Sequence, residues 1–185
     1  MDLSSFKSAF SGGTRANRFL VSGSIGVGAP STTPTARTFH IRSTFIPPIT
    51  NITLELHGYG RKVHIPGDRQ YAPWQISVYD DINGSSGTDS NLWRDFSIWH
   101  NKINNHVTNN SDNATGTSFT LYKQTWKIQH LDLDGVAIKT FTMNGCWPKT
   151  ISAIDHNMTN RNFLNTFSVV MLYDDIVIAG ADTQP

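Results

Sequence analysis

Residues 58–74 read Gly58-Tyr59-Gly60-Arg61-Lys62-Val63-His64-Ile65-Pro66-Gly67-Asp68-Arg69-Gln70-Tyr71-Ala72-Pro73-Trp74. The stretch is dense in Gly, Pro and Arg, yet strand-like runs flank it on both sides. Before it, Ile52, Leu54 and Leu56 alternate with Thr53, Glu55 and His57. After it, Trp74, Ile76 and Val78 alternate with Gln75, Ser77 and Tyr79. Alternation of this kind marks a strand with one buried face. The stretch itself holds no nucleophile, metal cage or phosphate loop. It reads as an assembly element, a turn-rich loop rather than an active site.

Further out the pattern stays mostly β. Asn17 to Ile25 is expected as a strand, with Phe19, Val21 and Ile25 in phase. Thr38 to Ile46 is another, with Phe39, Ile41 and Phe45 on one face. Pro47-Pro48 stops it, because a proline cannot donate to a ladder. Leu92, Phe96, Trp99 and Ile103 fall at i, i+4, i+7 and i+11. At 3.6 residues per turn they share a helix face about 60° wide. The helix is expected over Leu92 to Asn104, lying deep against a sheet. Tyr122, Trp126 and Ile128 mark a long strand over 119–130. Asp134-Gly135 between alternating runs predicts a two-residue hairpin turn. Gly145-Cys146-Trp147-Pro148 is expected to turn the chain, ahead of a short strand from Ile151 to Asp155. The last long strand, 165–173, carries apolar residues on both faces, which places it centrally in a sheet.

One domain over 1–185 follows from the length. It has an N-terminal arm at 1–17, where Phe6 and Phe10 could share one side of a short helix, and a C-terminal tail at 174–185. The loops at 26–36 and 107–118 are small and polar. The fold class expected is mainly β: an antiparallel β-barrel or sandwich with one packed α-helix.

Composition narrows the function. Charged residues make up 16% and the formal net charge is +1, unlike a basic nucleic-acid binder. The first residues lack the layout of a signal peptide, and no apolar run approaches the length of a membrane span. The single Cys146 excludes an intrachain disulfide and fits a reducing compartment.

Candidate chemistry falls away when weighed. None of the 7 histidines pairs at metal-binding spacing, and His57 and His64 lie across a Gly turn. Asp132-Leu133-Asp134-Gly135 lacks the later Glu of a calcium loop. Cys146 has only His156 downstream, the wrong arrangement for a cysteine protease. Asp80-Asp81 and Asp174-Asp175 read as turn carboxylates after strands. Arg61, Lys62 and Arg69 lack the aromatic platform of a single-strand binder. The expectation is no catalytic residue, no metal, no cofactor and no enzyme.

Several segments in order resemble the tail tube protein of contractile-tailed bacteriophages. They are Gly60-Arg61-Lys62-Val63 and Pro66-Gly67-Asp68-Arg69-Gln70-Tyr71-Ala72-Pro73-Trp74, the Trp/Phe-rich helix, Gly145-Cys146-Trp147-Pro148 and the closing strand that ends in Asp. The start, Phe10 then Arg15-Ala16-Asn17-Arg18-Phe19, is similar too. The resemblance implies hexameric rings stacked into the inner tube of a tail, a homo-oligomer whose lumen passes double-stranded DNA. Its partners would be the tail sheath protein, baseplate proteins at one end and a tail terminator at the other. The implied location is the virion, with assembly in the bacterial host cytoplasm and no membrane contact. A baseplate-proximal initiator of the same fold, a type VI secretion-like ring protein, and a small β-barrel ligand-binding module are the competing readings. Within the stacking reading, residues 45–66 are the candidate stacking loop. Ile46, Ile49 and Ile52 would supply apolar grip, while Arg61, Asp68 and Arg69 would fix its base.

Overall fold

A computed structural model describes residues 2–5, 14–25, 40–80, 92–108, 122–158 and 163–179. Nine strands and one long helix are described: β1 (Phe19–Gly23), β2 (Ile41–Thr44), β3 (Ile49–Gly58), β4 (Arg61–Tyr71), β5 (Trp74–Tyr79), α1 (Leu92–Ile103), β6 (Gln124–Leu131), β7 (Ala137–Ile151), β8 (Thr166–Leu172) and β9 (Asp175–Ile178). All pairings are antiparallel. The class expected from the alternation is therefore found, as a sandwich-like arrangement rather than a closed barrel.

One strand makes the architecture. The first part of β7 pairs with β6 on one side and β9 on the other. Its last residues, Trp147 to Ile151, pair with β8 instead. One layer is thus β1-β6-β7-β9 and the other β7-β8-β5-β2. The expected turn at Gly145-Cys146-Trp147-Pro148 is a bend inside this strand, and Ile151, expected to open a short strand to Asp155, is instead the last residue of β7, with 152–155 outside any strand. Gly145 has φ +69, which L residues adopt only with strain, and a Cβ there would collide with the Asp174 carboxylate. A register shift between Pro148 and Thr150 completes the change of layer.

The core lies between the layers. Val21, Trp126, Ile128, Met143 and Ile176 come from the first, and Trp74, Ile76, Val78, Phe167, Val169 and Met171 from the second. The α1 face closes it: Phe96 lies 6.1 Å from Trp126 and 6.4 Å from Phe167 between ring centroids, touching both layers. Two of the buried indoles have partners, as Trp74 Nε1–H donates to Thr44 Oγ1 at 2.8 Å and Trp99 Nε1–H to the Tyr122 carbonyl at 2.8 Å, whereas the buried Trp126 Nε1–H meets no acceptor among the described residues. Leu92, Phe96 and Trp99 are buried as the helical period requires, whereas Trp93 is exposed. β8 is central, between β7 and β5, with Phe167, Val169 and Met171 buried.

Smaller differences have local causes. The β6–β7 connection is a three-residue loop, not a two-residue turn. Gly135 N–H donates to the Asp132 carbonyl and Asp132 N–H to the Val136 carbonyl, with Gly135 at φ +79. Arg18 Nη1 fastens this loop by donating to the carbonyls of Asp132 and Leu133 at 3.0 and 2.7 Å. The tail expected from residue 174 begins as β9. Most of the N-terminal arm, including Phe6 and Phe10, lies outside the described residues, as do all of the loop at 26–36, residues 109–118 of the loop at 107–118, and the first residues of the strands expected after them, 37–39 and 119–121.

Candidate functional site: an uncovered hairpin

Strands β3 and β4 form a sheet of their own. The turn-rich stretch at 58–74 and the strand-like run before it, which together include most of the candidate stacking loop 45–66, form one hairpin running from Ile49 to Tyr71. Gly58 pairs with Arg61, so only Tyr59 and Gly60 form the turn, at φ 49 and 77. Positive φ at both positions is the type I′ pattern whose twist suits a two-residue hairpin.

The register sorts the side chains. Leu54 pairs with Ile65 and Leu56 with Val63, and Ile52 is in phase with them. On the opposite face Thr53 pairs with Pro66, Glu55 with His64 and His57 with Lys62. Two β4 residues, Gly67 and Asp68, face Ile52 alone, which is a β-bulge. The bulge lets the two strands keep one apolar and one polar face although alternation along β4 breaks. A Cβ at position 67 would come within 2.9 Å of the Ile52 carbonyl oxygen, so glycine fits there.

The apolar face is bare. Ile52, Leu54, Leu56, Val63 and Ile65 remain 39–55% exposed. A two-stranded hairpin is marginal by itself, and burying such side chains ordinarily stabilises by about 1.5–3 kcal/mol each. On the polar face Lys62 Nζ–H donates to Glu55 Oε2 at 3.2 Å, and His64 Nδ1 stands 4.0 Å from Glu55 Oε1. The base is anchored: Tyr71 meets Tyr173 at 5.6 Å between ring centroids, and Tyr71 adjoins the core.

The residues singled out in the sequence scatter along this element. Ile46 lies in the link before β3, Ile49 at the base opposite Tyr71, and Ile52 beside the bulge. Asp68 and Arg69 lie in the lower part of β4. Arg61 flanks the turn at the far end, eight residues and roughly 26 Å from Arg69 at strand rise. Arg61 therefore does not fix the base of its own hairpin, and no ion pair joins these three among the described residues. Sequence reasoning missed Leu54, Leu56, Val63 and Ile65 as surface residues, because alternation resembles that of a strand on its own core. The signal available was Gly58-Tyr59-Gly60, a short turn between two alternating runs.

Elsewhere, no group of three or more His, Cys, Asp or Glu converges among the described residues. Asp174 is held by Lys123 Nζ at 2.8 and 2.7 Å, which ties the residue before β9 to the residue before β6. Cys146 is buried, its Sγ–H directed to the Met143 carbonyl, and burial pushes the thiol up to about 12. A thiol so protonated is no nucleophile. No described helix is long and apolar enough to cross a membrane.

Comparison with known proteins gives the element a context. A family model described as phage tail tube protein matches residues 26–179. A tail tube protein of Serratia phage KSP90 is 22% identical over 114 residues, covering 62% of this chain and 59% of that relative. The match therefore spans less than two thirds of the relative. Among solved structures, a chain of the anti-feeding prophage tube-terminating cap aligns with a TM-score of 0.61 at 17% identity, covering 96% of this chain and 98% of the other. A chain of the sheath-tube complex of an extracellular contractile injection system, in its extended state, aligns at 0.58 and 16%, covering 96% and 97%. At such identities the likeness is one of fold.

Proposed function

The chain belongs to the phage tail tube protein family, and on that footing we propose that it is the repeating subunit of the inner tube of a contractile tail. The family is structural rather than enzymatic, and a tail tube component is part of the virion. In this proposal the subunits close into hexameric rings, the rings stack, and the lumen passes double-stranded DNA. The sheath protein surrounds the tube, baseplate proteins start it and a terminator ends it. Assembly takes place in the host cytoplasm.

The observation that carries the proposal is the bare apolar face of the β3–β4 hairpin. An isolated subunit leaves it in water, while a copy in the next ring covers it. Heterologous contacts that do not close on themselves propagate in one direction, which a tube needs. Ile46, Ile49 and Ile52 add grip at the root of the hairpin. Arg61, Asp68 and Arg69, spread along β4, act as contacts to neighbouring copies in this reading, not as a clasp within one chain. A lumen for DNA must not hold its cargo, so small polar and acidic side chains line it; a wall of lysines would bind phosphates.

Electron microscopy of the purified protein tests this. Rings and long tubes are expected, and dispersed monomers at all concentrations would overturn it. The conduit role is tested by titration with duplex DNA at physiological salt, where submicromolar affinity would contradict free passage.

A further inference from the structure

We infer that the Asn144–Gly145 bond is a spontaneous deamidation site which the fold keeps closed, so that a chain left unfolded acquires a carboxylate at position 144 and refolds to a weaker subunit. Both halves of this statement come from the place where β7 changes layer. Trp126 pairs with Met143 and Gln124 with Cys146, so Asn144 and Gly145 together face Thr125 alone. That is a β-bulge. Gly145 stands in it at φ +69, where a side chain is strained and a Cβ would meet the Asp174 carboxylate. The bulge therefore requires glycine at 145, and an asparagine followed by glycine is the least hindered setting for attack on its own side-chain amide.

The chemistry needs only water. The Gly145 main-chain nitrogen gives its proton to hydroxide and bonds to Cγ of Asn144, and ammonia leaves. Water then opens the cyclic imide. Opening at the side-chain carbonyl gives aspartate; opening at the main-chain carbonyl gives isoaspartate, with an extra methylene in the backbone. In the folded chain the first step is prevented. Closing the ring turns the 144–145 peptide out of the strand, yet the Asn144 carbonyl accepts from Asp174 N–H at 2.9 Å and Asn144 pairs with Asp175 of β9. Met143 before it and Cys146 after it pair with β6. Freeing the peptide means opening the middle of the first layer, and central strands open only at a free energy close to that of global unfolding. The product is also badly placed. A carboxylate at 144 lies across the ladder from Asp175 and beside Asp174, whose Lys123 partner is already engaged. Like charges directly opposite destabilise a sheet. Isoaspartate further lengthens the main chain inside a bulge whose two ends are fixed by pairing to β6.

The test follows the full-length chain by peptide mapping at mildly alkaline pH, folded in buffer and unfolded in guanidinium chloride. Trypsin releases residues 140–149, which separates this bond from the other Asn-Gly pair, Asn83-Gly84. The amide-to-acid mass increase in that peptide is expected about a hundredfold more slowly in the folded chain, and rates within a factor of about three of one another overturn the shield. Separately, Asn144→Asp is expected to lower the folded-to-unfolded ratio about fivefold, and Asp175→Asn in the same chain to recover it. An Asn144→Asp chain as stable as the wild type, or a loss that Asp175→Asn leaves untouched, overturns the weakened product. The comparison of folded and unfolded rates uses the wild-type chain, so it decides the shield even where a substituted chain does not fold.

Discussion

Two hairpins in this molecule obey the same rule of alternation and have opposite fates. In β6–β7, Trp126, Ile128 and Met143 point inward and are buried, and the pair is flanked by β1 and β9. In β3–β4, Leu54, Leu56, Val63 and Ile65 are in phase to the same standard and meet solvent. The β6–β7 turn is tied down by Arg18, while the β3–β4 turn carries Tyr59 fully exposed. Alternation therefore announces that a face needs cover, and is silent on whether the same chain supplies it.

Substitutions break or sharpen this comparison when the stability of the isolated subunit is followed by urea unfolding. The largest loss is expected at Trp74→Ala, which empties a fully buried site and removes the bond to Thr44. It should cost about 3–5 kcal/mol. Gly145→Ala comes next, at roughly 2–3 kcal/mol, since it adds the left-handed penalty to a collision with Asp174. Tyr59→Asn should stabilise the hairpin turn by up to about 1 kcal/mol, because Asn tolerates positive φ better. Slower amide exchange at Leu56 and Val63 would show it. The smallest effect is expected at Leu54→Asp: within about 0.5 kcal/mol in the isolated subunit, as for other surface changes, yet with tube formation lost. A loss at Leu54 as large as at Trp74 would mean that the hairpin is covered within its own subunit, and the contrast would collapse.

Alkaline pH offers a further check on the core side of the comparison. Burial raises the Cys146 thiol from 9.0 to about 12, and burial with the nearby Tyr71 raises the Tyr173 phenol from 10.0 to about 12. Both folded values exceed the unfolded ones. The folded state therefore holds these protons longer, and the stability they support is full below about pH 9 and lost as pH rises through 12. The urea midpoint should fall steadily from pH 9 upward. A Cys146→Ser, Tyr173→Phe double variant should flatten that slope.

Much of the fold was legible, and each gap has a physical reason. Trp74-Ile76-Val78 and the Leu92-Phe96-Trp99 face were clear because their periods run unbroken. β4 was hidden because Pro66, Gly67 and Asp68 interrupt the pattern at a bulge that shifts the phase by one residue. Gly145-Cys146-Trp147-Pro148 has the composition of a turn, and only pairing to two different neighbours shows that it is a bend. β9 is four residues long and opens at the second of two aspartates, so it resembled the start of a tail. At the candidate site, Ile52 was named with Ile46 and Ile49 within the stacking reading, and it lies in phase with Leu54 and Leu56. Leu54 and Leu56 were read with it as the buried face of a strand, while Val63 and Ile65, which pair with them, were left inside the turn-rich stretch, because alternation does not say what covers a face.

The sharing of β7 has a mechanical side. Two separate layers can slide over one another by exchanging side-chain contacts. Here sliding would have to tear main-chain hydrogen bonds to β6, β9 and β8 along one continuous strand. The unit resists shear through its backbone, whatever its side chains do. A load applied along β7 is therefore carried as stretched hydrogen bonds in both layers at once, and neither layer yields alone.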